Sequence, residues 1–233
     1  MLWQIAVSRG SGLIPGPFPV VKAIGELLGR GLLVRYVVAS LFRVTWGYTA
    51  AVAVALPLGV MLGLSRRAEA ALHPLMQCLR PISPLAWIPI AILWFGVGDL
   101  SAIFLIFVAS LLPLTLAITK AVQEIDPVVL RAARNFAVPR SRLLSSVILP
   151  SILPQLVISM RITLGIAWLV VVAAEMIAVD SGLGFLIVDA RNAGNRYDLV
   201  IAGMVMIGLI GLILDTAMRS LARLDVVQFG RAE

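Results

Sequence analysis

The sequence predicts an all-α, polytopic membrane protein, and three observations carry that class. Of its 233 residues, 61% are hydrophobic. Only 13% are charged, whereas soluble domains average about 45–50% apolar and about 25% charged. Apolar runs long enough to cross a bilayer alternate with short segments rich in arginine. A soluble fold of this length needs a polar skin that this composition cannot supply.

Residues 1–43 form an N-terminal segment. Gly10, Gly12, Pro15, Gly16, Pro17 and Pro19 exclude one continuous helix at its start. The apolar run in MLWQIAVSRGSG is too short for a cleavable signal peptide, so internal spans are expected to direct insertion. From Val20 to Phe42, Val20, Val21, Ile24, Leu27 and Leu28 recur at roughly helical spacing between Lys22, Glu26, Arg30 and Arg35. Two readings fit: a helix lying along the membrane surface, or a packed connector.

Residues 44–224 form the membrane domain, and 225–233 a tail. Val44–Leu64 is the first clear span, with about 20 uncharged residues and therefore about 30 Å of helix. Ser65–Arg80 reads as a short polar loop. Ile82–Val97 is short for a span and, with Pro84 and Pro89, irregular at its start. Gly96-Val97-Gly98-Asp99 makes a tight turn, and Leu100–Thr119 crosses back. Ser151–Val179 is a long run interrupted by Arg161 and closed by Glu175-Met176-Ile177. Asp180–Asp198 is polar, and Leu199–Met218 is the last span.

Basic residues orient these spans. Arg66, Arg67 and Arg80, then Lys120, Arg131, Arg134, Arg140 and Arg142, then Arg219, Arg223 and Arg231 share one side. The positive-inside rule puts that side in the cytoplasm. The opposite loops carry Arg191 and Arg196. Arg9, Lys22, Arg30, Arg35 and Arg43 oppose the assignment, which a surface-lying helix softens without removing.

The net charge of +7 therefore reads as a topology signal. No basic stripe interleaves with stacking aromatics, so nucleic acid is excluded as a partner. Cys78 is the only cysteine, which rules out an internal disulfide and any multi-cysteine metal site. His73 is the only histidine, which rules out H-E-x-x-H and multi-histidine sites. It also lies away from the serines of the spans, so no serine nucleophile has a base beside it. Lys22 and Lys120 follow no glycine-rich loop, so there is no G-x-x-x-x-G-K-[ST] phosphate cradle.

The longest polar interruption is Glu124–Pro150, EIDPVVLRAARNFAVPRSRLLSSVILP. Asp126-Pro127 is a helix start, a cap acceptor followed by proline at the first helical position. A short helix over Val128–Phe136 follows. Val138-Pro139 turns the chain, and Ser141 can cap a second helix running to Leu149-Pro150. By physics alone this is either a handle for a soluble partner or a solvated loop that fixes topology.

Within it, Arg131-Ala132-Ala133, then Ala137, then Val147-Ile148-Leu149-Pro150 resembles the EAA loop of permease subunits of bacterial ABC importers. That pattern is Glu-Ala-Ala, three residues, Gly, nine residues, Ile-x-Leu-Pro, and the spacing fits throughout. Arg131 stands where Glu is usual, and Ala137 where Gly is usual. Pro81–Pro89 (PISPLAWIP), Leu93–Gly98 (LWFGVG), Gly165–Trp168, Ala173–Met176 and Ser181–Gly184 resemble the nitrate/sulfonate/bicarbonate/taurine branch. The likeness covers about Val34–Leu224.

The resemblance implies a type I importer permease with a MetI-like core of about five transmembrane helices. It also implies an N-terminal interfacial segment and a cytoplasmic coupling helix in loop 124–150. Coupling to the ATPase falls to Arg131, Ala132, Ala133, Arg134, Ala137, Val138, Pro139 and Arg140. Arg131 cannot make the contact a Glu would make with a basic group on the ATPase, and Ala137 turns the chain less freely than Gly. Implied partners are a second copy, two cytoplasmic ATP-binding subunits and an extracytoplasmic substrate-binding protein, with the bilayer around them. This chain is not an enzyme and holds no cofactor of its own; ATP and Mg belong to the ATPase. This branch usually carries one further N-terminal span, of which Met1–Val7 resembles the last part.

Three tryptophan and arginine positions are candidates for lining the path: Trp87, Arg161 and Trp168. Charges within spans face a partner or a wet cavity. Arg161 is either a positive stop for an anion or the partner of Asp215. Glu175 would repel an anion, and Arg43 is its expected structural partner. A self-sufficient channel or secondary transporter would show a charge relay or repeated halves, and the sequence shows neither. A scaffold without transport is the remaining rival.

Overall fold

The computed structural model describes residues 15–192, 194 and 196–222. The remnant-span reading of Met1–Val7 and the tail 225–233 fall outside them. Every regular element among the described residues is helical. In chain order these are α1 (Pro17–Gly29), α2 (Leu32–Leu64), α3 (Arg66–Leu79), α4 (Ile88–Phe95) and α5 (Asp99–Gln123). Then come α6 (Pro127–Asn135), α7 (Arg140–Leu143), α8 (Leu149–Glu175), α9 (Leu183–Asn192) and α10 (Tyr197–Ala222). A 3₁₀ turn, Pro84–Trp87, leads into α4, and a π-helical turn, Leu144–Ile148, joins α7 to α8.

Four segments are long and apolar enough to cross a membrane: Leu32–Leu64, Asp99–Gln123, Leu144–Glu175 and Tyr197–Leu221. Arg66–Leu79 with Pro84–Phe95 makes up to a fifth as one broken span. That count matches the expected core of about five.

The structure departs from the sequence expectations at four places. The first span begins at Leu32 rather than Val44, because Arg43 is neutralised and buried instead of marking a boundary. Segment 65–80 is a helix: Ser65 Oγ accepts from Ala68 N at 3.3 Å, and Glu69 sits in the first turn where the helix dipole favours it. Segment 180–198 contains α9, whose Leu183, Leu186 and Ala190 are buried. Finally, α7 starts at Arg140 behind Pro139, not after a Ser141 cap, and helix continues through Pro150 into the span. A proline ring clashes with the carbonyl four residues back, and the wider turn at Leu144–Ile148 relieves that crowding.

Two compact units divide the chain. One comprises the residues up to Gly47 with Pro84–Ile106 and Trp168–Ile213; the other comprises Tyr48–Ser83, Phe107–Ala167 and the residues from Leu214 on.

In the second unit α2 and α5 pack through glycines. A Cβ on Gly59 would lie 2.7 Å from Ile118 Cβ, and one on Gly63 would lie 2.5 Å from Val122 Cβ. Only small residues permit such close backbones. Thr119 Oγ1 adds a hydrogen bond to Gly59 O at 3.3 Å. Because 59 meets 115 and 118 while 63 meets 119 and 122, the two helices run parallel. Parallel spans require the chain to recross between them, and α3 with α4 is the helix pair available. Ala55, Val60, Leu114, Ile118, Val122, Ile148 and Ile152 form the core there, with Leu130 and Leu143 of the polar loop packed on it. Tyr48 OH donates to Met160 O at 2.6 Å.

In the first unit Gly47 lets α2 approach Ile103 O and Ile106 in the same manner. Trp168 Nε1 donates to Ile207 O at 3.1 Å. Val20, Ala23 and Leu27 bury one face of α1. Arg196 Nη2 holds that helix through Glu26 Oε2 at 3.0 Å and also pairs with Asp198 at 2.8 Å.

Candidate coupling loop and intramembrane charges

Helix α6 is specified by its ends. Asp126 Oδ1 accepts from Val128 N at 2.7 Å, and Pro127 fills the first position, as the sequence requires. At the other end Val138 N donates to Ala133 O at 3.1 Å, and Phe136 N donates to Ala132 O at 3.0 Å. The first of these is the six-residue closure of a Schellman turn, which needs a left-handed residue inside it. Ala137 supplies it at φ +50°, the only non-glycine with positive φ among the described residues. A glycine would do so without Cβ strain.

The two faces of α6 differ. Ala133 is buried and Leu130 packs on the core of the second unit, while Ala132 is half-buried. Arg131 is exposed and turns back on its own helix, Nε donating to Pro127 O at 3.2 Å. Its side chain is thus held by the first turn rather than extended outward. Arg134 lies on α6, Pro139 caps α7 and Arg140 opens it, with Val138 half-buried between them.

Sequence reasoning missed Phe136, which is 83% exposed. Val128 and Val129 are exposed on the same short helix. Val128, Ala132 and Phe136 recur every four residues, a stripe on one helix face that was legible beforehand. A bare phenyl ring beside an arginine-rich loop suits contact with another protein.

Arg43 and Glu175, both in the first unit, meet as the sequence paired them, Nη1 to Oε1 at 2.8 Å with both side chains sealed from solvent. Arg43 also donates through Nε to Asp99 Oδ1 at 2.8 Å, through Nη1 to Ser181 O at 2.8 Å, and through Nη2 to Ser181 Oγ. Glu175 Oε2 accepts from Ser40 Oγ at 3.0 Å and Gly184 N at 2.9 Å. Gly182, at φ +104°, is the residue that lets loop 181–184 fold onto this carboxylate; a Cβ there would strike it. The cluster ties α2, α5, α8 and the loop before α9 together and keeps no donor of Arg43 for a solute.

In the second unit Arg161 pairs with Asp215, Nε to Oδ1 and Nη2 to Oδ2 at 3.0 Å. Arg219, one turn beyond Asp215, joins at 3.1 Å. Of the tryptophans, Trp87 is half-buried in its 3₁₀ turn and Trp168 is buried. Among the described residues no group of His, Cys, Asp and Glu is arranged to hold a metal ion.

Known proteins are similar to this chain in sequence and in fold. The chain is 37% identical over 217 residues to the taurine transport system permease protein TauC of Escherichia coli, covering 90% of this chain and 78% of that protein. It is 34% identical over 227 residues to the bicarbonate transport system permease protein CmpB of Synechococcus elongatus, covering 92% and 81%. Its fold superposes on a chain of the MetNI methionine ABC transporter, solved in an inward-facing conformation. The TM-score is 0.73 at 20% sequence identity, covering 82% of this chain and 95% of that one. Residues 55–224 match the family described as "Binding-protein-dependent transport system inner membrane component". The chain belongs to that family: it is a multi-pass permease subunit of a bacterial ABC importer of the nitrate/sulfonate/bicarbonate/taurine branch, with ATP hydrolysis left to a separate subunit.

Proposed function

We propose that two copies of this chain form the translocation path for a small anion: nitrate, bicarbonate, taurine or another sulfonate-like solute. Alternating access moves the solute. Two cytoplasmic ATPase subunits, which bind ATP and Mg, drive it, and an extracytoplasmic binding protein delivers it. The observation that carries this reading is α6, a capped helix whose inner face belongs to the permease core and whose outer face bears Val128, with Phe136 exposed directly after its last residue. A rigid helix seated on the spans on one side and free on the other transmits motion between a soluble motor and a membrane domain. The relatives' names support the solute class.

The test is purification with the ATPase followed by reconstitution. Phe136→Ala is expected to lower solute-stimulated ATP hydrolysis by about tenfold, as loss of a buried aromatic anchor does, while the permease itself stays folded. Enlarging Ala133 is the weaker test, because Ala133 faces its own core and the change would disturb folding. A Phe136→Ala complex with full coupling, or a purified permease that moves solute without any ATPase, would overturn the reading. The ligand retained by the cognate binding protein identifies the solute.

A further inference from the structure

Two arginines share one carboxylate in the second unit. Asp215 takes Nε and Nη2 of Arg161 from α8 and Nε of Arg219 from its own helix. The cluster is net positive. Its side chains stay open, at 35% for Arg161, 34% for Asp215 and 57% for Arg219. Arg161 lies inside one apolar span, while Asp215 and Arg219 stand in the last turns of another, and lipid excludes a charged group left open within such a span. The open edge therefore meets water or another protein surface. A second copy meeting this edge about a two-fold axis would set like charges against each other. Water suits it better.

The remaining donors give the edge a chemistry. Arg161 Nη1 and both terminal nitrogens of Arg219 have no acceptor among the described residues. Guanidinium groups with spare N–H forks match planar and tetrahedral oxyanions. Of the other arginines in the described spans, Arg43 is spent entirely on Asp99, Glu175 and Ser181, and Arg35 stands in the first turn of α2. The Arg161–Arg219 pair sets two guanidinium groups side by side on one carboxylate.

We propose that Arg161 and Arg219, held in place by Asp215, form a cationic station that contacts the transported oxyanion on its aqueous path. The shared carboxylate keeps the station weak enough to release what it receives, as conduction requires. This rests on the anion-importer reading, and the experiment separates the two.

Ile158 lies three residues before Arg161 and so on the same face of α8, and it is 38% exposed. Ile158→Cys in a Cys78→Ser background, reconstituted with the ATPase, is treated with an anionic and a cationic methanethiosulfonate, each rate normalised to a free thiol. The anionic reagent should react about tenfold faster, the size of effect a nearby unit charge produces. Millimolar nitrate, bicarbonate or taurine, whichever the complex imports, should slow it, and Arg219→Gln should erase the preference. In uptake, Arg219→Gln should be slow and Arg219→Lys close to wild type. No reaction with either reagent, or rates indifferent to charge, would sink the station while leaving the importer standing. A wild-type complex that imports none of the three anions would instead sink the importer reading.

Discussion

Arg43 donates to Glu175 at 2.8 Å with neither side chain reaching solvent. This ion pair is satisfied on both sides, by Asp99 and Ser181 around the guanidinium and by Ser40 and Gly184 around the carboxylate. Removing one partner strands a buried charge. Arg43→Met is expected to destabilise the detergent-purified protein by about 3–5 kcal/mol, and Arg43→Met with Glu175→Leu to recover part of that loss. Thermal unfolding measures it. Equal stability in the single and double variants would show that the pair is not acting as a unit.

The glycine contact between α2 and α5 makes a sharper steric prediction. Gly63→Ala would place a methyl 2.5 Å from Val122 Cβ, whereas a Cβ on Gly165 meets nothing within 4 Å. The first should cost about 1–3 kcal/mol through overpacking. The second should be neutral or stabilising by up to about 1 kcal/mol, since Gly165 is helix interior. If both lower the melting temperature alike, close packing is not what Gly63 provides.

Ala137 invites the opposite change. Its φ of +50° is one that an L side chain tolerates poorly. Ala137→Gly relieves about 1–2 kcal/mol of left-handed strain but restores about 0.4–1 kcal/mol of unfolded-chain freedom. The net expectation is a small stabilisation, read as slower amide exchange at Val138. Faster exchange there would contradict the Schellman assignment.

The clasp between α1 and the start of α10 should respond to acid. The hydrogen bond from Arg196 holds the Glu26 carboxyl below its ordinary value of 4.5, with the charges of Arg196 and Arg30 adding to it. A depressed carboxyl contributes stability that is present above the unfolded value and disappears as pH falls through the folded one. Loosening of α1, followed by limited proteolysis near Gly29, is therefore expected only below about pH 4.5. Glu26→Gln should show the loosened state at every pH. A Glu26→Gln protein as resistant as wild type at pH 7 would remove the clasp from consideration.

Much was legible in the sequence because its causes are local. Hydropathy over a window reports the cost of placing a segment in lipid, so four spans and the loop at Glu124–Pro150 stood out. Asp126-Pro127 announced the start of α6 because a cap needs only its own neighbours. The partner of Glu175 also came early, and pairing with Asp215 stood as one of two readings of Arg161, since an intramembrane charge has few places to go.

Tertiary structure decided what depends on neighbours distant in the chain. The segments 65–80 and 183–192 read as polar, yet they fold as helices once Met76, Leu183 and Leu186 find apolar cover. The stripe through Val128 and Phe136 is local, but which face of the helix turns inward is not, because the face a helix buries is set by the core it meets. Arg43 reads in the sequence as the edge of the first span, and Arg161 as the interruption of a later one. Packing saturates Arg43 and leaves Arg161 sharing its only carboxylate with Arg219.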